Sequence, residues 1–214
     1  RDTWMSTSAL LDEKQTANGR GLARFENYKH QALDYSFPNN FTGILAPFSG
    51  ARPKAAILRE KGSNSEREMA NAMFLAGFDV KDIHMTDLMS GRENLEDIQF
   101  IGAVGGFSNS DVLGSAKGWA GAFLYNPKAK KSLDDFFARK NTLSLGVCNG
   151  CQLFIELGLL HPNDAEKPKM LHNDSHKFEC VFTSVTIPEN NSVMLQNLSG
   201  STLGIWAAHG EGKF

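Results

Sequence analysis

From Lys54 onward, short apolar runs alternate with stretches of helical period. "KAAILRE" (54–60) has the length and apolar content of a strand buried in a sheet, and "FDVKDIHM" (78–85), "IQFIGAVGGF" (98–107) and "TLSLGV" (142–147) read as a second, third and fourth strand. Between the first two, "SEREMANAMFLAG" predicts a helix. Met69, Ala72, Met73 and Ala76 form its apolar stripe, Ser65 and Glu68 have capping-box spacing, and Gly77 stands where a helix ends. "GWAGAFLYNPKAKKSLDDFFARK" predicts a helical stretch between the third and fourth strands. Strands alternating with helices imply an α/β fold: three layers, with a mostly parallel sheet covered by helices on both faces. In such folds ligands gather at the carboxyl ends of the strands. Two of those ends carry unusual loops, "GGFSNSD" after the third strand and "CNGCQ" after the fourth. Residues 1–50 show no sustained period. "TSALLDEKQTANGRGLARFENYKHQ" reads as one or two polar helices and "FPNNFTGILAPFSGARP" as a linker punctuated by Pro and Gly.

Composition narrows the partners more than the fold. Apolar residues make up 41% and charged residues 21% of the 214, and the net charge of −2 leaves no basic excess, so nothing supports nucleic-acid binding. No apolar run approaches the ~20 residues of a membrane span, and "RDTWMSTSALLDEK" lacks the apolar segment of a signal peptide. The expectation is therefore no membrane and a cytoplasmic location. Cys148, Cys151 and Cys180 are odd in number and few, which favours reduced thiols over a disulfide framework. The chain opens on "RD" and closes on "HGEGKF", and reads as part of something longer.

Three readings compete for "LSLGVCNGCQLF" (143–154). Cys148 and Cys151 at a strand-to-helix junction suit disulfide exchange. With His172 and His176 of "HNDSH" they also make a C-x2-C…H-x3-H set for zinc, although the gap between the pairs exceeds the usual ~12–15 residues. The third reading, with no metal, also uses the glycines. Gly146, Cys148 and Gly150 form G-x-C-x-G, the thiol counterpart of the G-x-S-x-G elbow, in which a strained turn exposes the nucleophile and its neighbours must be small. The N–H of Asn149, with one from the Gly105-Gly106-Phe107 loop, could then hold the oxyanion of a tetrahedral intermediate. Cys151, on the first turn of the helix, reads as a small buried hydrophobe.

"GVCNGCQ", "GGFSNSDVLG" and "LREKGSN", each after a strand, together with "HNDSHKFE" and "AAHGEG", resemble the glutamine amidotransferase domains of phosphoribosylformylglycinamidine synthases, the formylglycinamide ribonucleotide amidotransferases of purine biosynthesis. The resemblance runs from about Arg52 to the end. It implies residues 52–214 as an incomplete glutamine amidotransferase domain of the class I, flavodoxin-like kind, and residues 1–51 as a linker from an upstream synthetase region. It implies Cys148 as nucleophile, Gly106 and Asn149 as oxyanion donors, and Phe107, Gln152 and His209 as contacts to bound glutamine. It further implies a partner synthetase region of the same polypeptide that receives ammonia and carries ATP and Mg, with no cofactor in these residues. The family's acid–base pair lies in a His-Pro-Glu motif that this chain does not contain. "HGEG" is a separate, earlier motif, "HPN" at His161 lacks the carboxylate, and His30, His84 and His161 read as solvated loop residues. The residues are also compatible with the amidotransferase domain of another synthetase, or with an idle module that binds glutamine or docks to a synthetase.

Overall fold

The computed structural model describes residues 2–28, 30, 33–39, 41–44 and 48–214; parts of the expected linker, Lys29, Gln31, Ala32, Asn40 and 45–47, lie outside them. The chain divides into two compact units, Arg1–Ile44 with Leu171–Lys213, and Leu45–Met170 with Phe214.

The second unit contains the α/β pattern. Strands β1 (Lys54–Arg59), β2 (Asp79–His84), β3 (Phe100–Ala103) and β4 (Leu143–Gly146) form one sheet in the order β2-β1-β3-β4, every pair parallel. Side chains on β1 alternate between two cores. Ala55 and Ile57 join Met73, Phe100 and Val104 on one face, under α3 (Glu66–Leu75). Ala56 and Leu58 join Trp119, Phe123, Leu133, Phe136 and Leu153 on the other. That second face is covered by α4 (Met85–Ser90), α5 (Lys117–Leu124), α6 (Pro127–Ala138) and α7 (Asn149–Glu156). A strand buried on both faces has no polar side, which is why the two central strands β1 and β3 read as apolar runs, whereas the edge strands β2 and β4 keep exposed positions. The expected three layers are therefore present. Chain order reverses between β1 and β3, so a ligand crevice is expected outside their carboxyl ends. Leu58, Ala103 and Gly146 lie in one row of the register, and the loops after β1, β3 and β4 leave from that common edge.

Local detail departs from expectation in four places. The capping box at Ser65 does not form: Ser65 is left-handed (φ 66°) and makes no side-chain cap bond. A box forms at α4 instead, where His84 Nδ1 accepts from Thr86 N–H and the Asp87 carboxylate accepts from His84 N–H. His84 is thus a capping residue at the end of β2, half-buried and 3.8 Å from Glu60, and not a solvated loop residue. On α3 the buried side is Met69, Ala70 and Met73, while Ala72 and Ala76 are exposed, a rotation of the expected stripe. The single helical stretch before β4 is two helices, because Asn126 accepts from Lys128 and Ala129 N–H and Pro127 restarts the chain as α6. Gly77 closes α3 as expected, with φ +101° and the Phe78 N–H bonded back to Met73 O (3.0 Å).

The first unit holds two helices, α1 (Asp2–Gln15) and α2 (Arg20–Asn27), with an antiparallel ribbon of β5 (Glu179–Thr186) and β6 (Thr202–His209). Arg24 joins Asp12 on α1 (3.0 Å) to Glu179 on β5, and Lys177 also pairs with Asp12 (2.6 Å). The Lys177 hydrogen bond is the main reason that the Asp12 carboxyl is held below the usual range. Among the described residues no helix is long and apolar enough to cross a membrane.

Candidate active site

Cys148 stands between β4 and α7 with φ 54° and ψ −111°, a backbone conformation that suits glycine and strains any other residue. The surrounding chain is packed too closely to relax it. A Cβ on Gly146 would lie 2.6 Å from Gly150 O, and one on Gly150 would lie 2.1 Å from Ala103 O, so both glycines are required by backbone approach. The Cys148 side chain is exposed. It lies against the end of β3, since a Cβ on Gly105 would come 3.2 Å from Cys148 Cβ and 3.8 Å from its Sγ. Strain of this kind costs about 1–3 kcal/mol. Cys148→Gly is therefore expected to be more stable than Cys148→Ala by about 1 kcal/mol, the reverse of the usual order, as read by urea denaturation of the two variants. A Cys148→Ala protein at least as stable would show that the turn is unstrained.

The loop after β3 rests on the loop after β1. Asn64 N–H bonds to Gly105 O and Phe107 N–H to Gly62 O, each at 2.9 Å, on either side of the facing pair Ser63 and Gly106. This register keeps the Gly106 N–H out of the ladder, whereas the Phe107 N–H is already engaged. Gly106 has φ +117°, and a Cβ there would meet Gly62 O at 2.7 Å, so no other residue fits. The Asn149 N–H is at the first position of α7, one of the four that no intrahelical carbonyl can reach. Two N–H groups on separate loops thus flank the end of the sheet at Cys148, where an oxyanion could be held.

The remaining site residues fall in two places. Phe107 is half exposed on the β3 loop, and Gln152 is buried on the first turn of α7, where its Oε1 accepts from Asn149 Nδ2 (2.9 Å). His209 belongs to the first unit, at the end of β6, where Nδ1 meets Asn173 Oδ1 at 2.9 Å. His172 and His176 are in that unit as well, while Cys148 and Cys151 are in the other. Among the described residues no three His, Cys, Asp or Glu side chains are grouped as metal ligands. All three cysteines are free thiols, and burial, with a smaller contribution from Cys148, pushes the Cys151 thiol up. The sequence marks the "GGFSNSD" loop and the "LREKGSN" stretch but assigns no individual role to Ser108, Asp111 or the "KGSN" turn. Their role depends on which loops meet, and the only local trace is Gly62, whose φ of +88° and approach to Phe107 O exclude a side chain.

Comparison with known proteins gives three results. The profile of CobB/CobQ-like glutamine amidotransferase domains matches residues 52–214. A protein of Arabidopsis thaliana named "Probable phosphoribosylformylglycinamidine synthase, chloroplastic/mitochondrial" is 41% identical over an alignment that takes in 100% of this chain and 16% of that protein, so the chain spans about a sixth of that relative. The structure of PurLQS from Thermotoga maritima superposes with a TM-score of 0.60 at 27% identity, over 76% of this chain and 68% of that one.

Proposed function

This chain belongs to the family of CobB/CobQ-like glutamine amidotransferase domains, and from that premise we propose that it is the glutaminase portion of a phosphoribosylformylglycinamidine synthase. The observation that carries the reading is the strained, exposed Cys148 at the head of α7, next to a Gly106 N–H left out of its ladder. Cys148 as thiolate attacks the γ-carboxamide carbon of glutamine. The oxygen, now an anion, is held by the Gly106 and Asn149 N–H groups, and collapse of the intermediate expels ammonia after it gains a proton. Water then cleaves the thioester, giving glutamate and the free thiol. Phe107, Gln152 and His209 are assigned to glutamine binding. The ammonia passes to the synthetase portion of the same polypeptide, which carries ATP and Mg and amidates formylglycinamide ribonucleotide. The name of the plant relative supports that acceptor.

A diazoketone analogue of glutamine tests the reading. Cys148 sulfur bonds to the diazo carbon as that carbon is protonated and dinitrogen leaves, which adds a fixed mass to the peptide that contains Cys148. Labelling at Cys148, suppressed by excess glutamine, is expected; labelling spread over the three thiols without protection by glutamine would refute a glutamine site. The smaller probe iodoacetamide should rank the thiols differently. Cys151 reacts slowest because its partly buried thiol resists ionisation. Cys148 reacts before Cys180, which is also exposed, because the strained turn holds its sulfur out at the head of α7. Peptide mass spectrometry over a time course gives the order, and Cys180 leading would count against the elbow.

A further inference from the structure

We propose that the Asn149 side chain is the positioning group that holds the two oxyanion donors in register, an inference that rests on the glutaminase reading of Cys148. Asn149 is fully buried, and its amide bonds both to the loop after β3 and to Gln152 on its own helix. Its Oδ1 accepts from the Ser108 N–H at 3.1 Å. Its Nδ2 donates to Gln152 Oε1 at 2.9 Å and, at 3.4 Å, to Asp111 Oδ1. The residue whose backbone N–H is one donor therefore grips, through its side chain, the loop that carries the other donor, Gly106.

That loop needs a tether. Asn109, Ser110 and Asp111 all have positive φ (52°, 57° and 49°), three consecutive non-glycine residues in a conformation each disfavours. Such a run persists only where its surroundings over-determine it. On the β1 side Asn109 N–H bonds to Lys61 O and Phe107 N–H to Gly62 O, each at 2.9 Å. On the α7 side the bonds to Ser108 and Asp111 come from Asn149. Only a side chain with both an acceptor and donors can serve Ser108 and Asp111 together. Leucine, of nearly the same shape, would leave the Ser108 N–H without its acceptor and the Asp111 carboxylate without this donor.

The test compares the rate at which Cys148 is labelled by the diazoketone analogue of glutamine with the rate at which iodoacetamide labels the same cysteine. The bound diazoketone must seat its carbonyl oxygen on the Gly106 and Asn149 N–H groups to bring its diazo carbon to the sulfur, whereas iodoacetamide needs no such seat, so the ratio separates the hole from the thiol. In Asn149→Leu the ratio is expected to fall tenfold or more. It falls similarly in Asn149→Asp, because the new carboxylate oxygen faces Gln152 Oε1, an amide that can turn to donate instead, and Asp111 Oδ1, a carboxylate that cannot. The double variant Asn149→Asp with Asp111→Asn restores the donor with its polarity reversed and should bring the ratio back to within about threefold of the unsubstituted chain. A merely structural role would not produce that recovery. If Asn149→Leu does not fold by circular dichroism, the Asp variant and its double partner carry the comparison. A ratio unchanged in the single variants, or a fall that the double variant does not reverse, overturns the positioning role and leaves Cys148 as nucleophile untouched. Absence of glutamine-protected labelling in the unsubstituted chain overturns the glutaminase reading, and the positioning role with it.

Discussion

Supplied with glutamine, the 214-residue chain alone is expected to release no glutamate above its Cys148→Ala control. Turnover needs a group to protonate the departing ammonia and a base to activate water for deacylation, and in thiol enzymes both duties fall to a histidine within hydrogen-bond reach of the sulfur. The unit that contains Cys148 has two histidines, and neither can serve. His84 ends β2, three strand positions from β4, which at the usual strand spacing is about 14 Å. Its Nδ1 is also occupied in capping α4. His161 follows the far end of α7, about 12 Å along the helix from Cys148, and there pairs with Asp164 at 3.3 Å. The resembling family places the function in a His-Pro-Glu motif absent from these residues. Losing one member of such a catalytic unit costs on the order of 10⁴-fold or more in rate. The elbow should still accept the diazoketone, so labelling without turnover is the expected pair of results. Robust glutamate release that disappears with Cys148→Ala would assign the acid–base role to His30, His172, His176 or His209 and refute this account.

What the sequence reveals about this molecule depends on how locally each feature is determined. Parallel strands buried on both faces must be apolar throughout, so "KAAILRE" and "IQFIGAVGGF" declare themselves without reference to their neighbours. The elbow is legible for a related reason: Gly146 and Gly150 are glycine because backbone lies where a Cβ would be, which leaves a mark in the sequence that needs no knowledge of what approaches. Caps carry less information. Ser65 and Glu68 have the right spacing, but the Ser63–Gly106 pairing draws the turn into another path and leaves Ser65 left-handed. The rotated stripe of α3 has a similar origin, since alanine is tolerated on either side of a helix and so marks neither face. Least legible is the Asn149 side chain. Its partners Ser108 and Asp111 lie 41 and 38 residues away, and nothing local distinguishes an asparagine that ties two loops from one that caps a helix.

The largest stability change is expected at Gly150. In an ordinary helix, Gly→Ala stabilises by up to about 1 kcal/mol, because alanine loses less backbone entropy on folding. At Gly150 the new Cβ would sit 2.1 Å from Ala103 O, 2.5 Å from Ala103 C and 2.8 Å from Ala103 Cβ. These atoms cannot swing aside. Ala103 is fully buried and paired to Leu58 on one side and to Gly146 on the other, so relieving the clash means moving α7 off the sheet or pulling β3 out of line with both neighbours. Overpacking against backbone in a close-packed core costs typically 1–3 kcal/mol and occasionally more, which exceeds the propensity gain. A net loss of about 2–3 kcal/mol is expected for Gly150→Ala, enough to displace the midpoint of urea unfolding clearly. Displacement of α7 also carries Cys148 and the Asn149 N–H away from Gly106, so diazoketone labelling of whatever remains folded should drop with it. Gly121→Ala is the matched control. It lies within α5, and its Cβ would find only Tyr125 ring carbons at 3.7 and 3.9 Å, ordinary contact distances. The same chemical change should raise stability there by about 0.5–1 kcal/mol. Opposite signs at the two glycines, measured side by side, are the expected result; a Gly150→Ala protein as stable as its parent would show that α7 does not pack on β3 in this way, and would remove the geometric basis for the elbow.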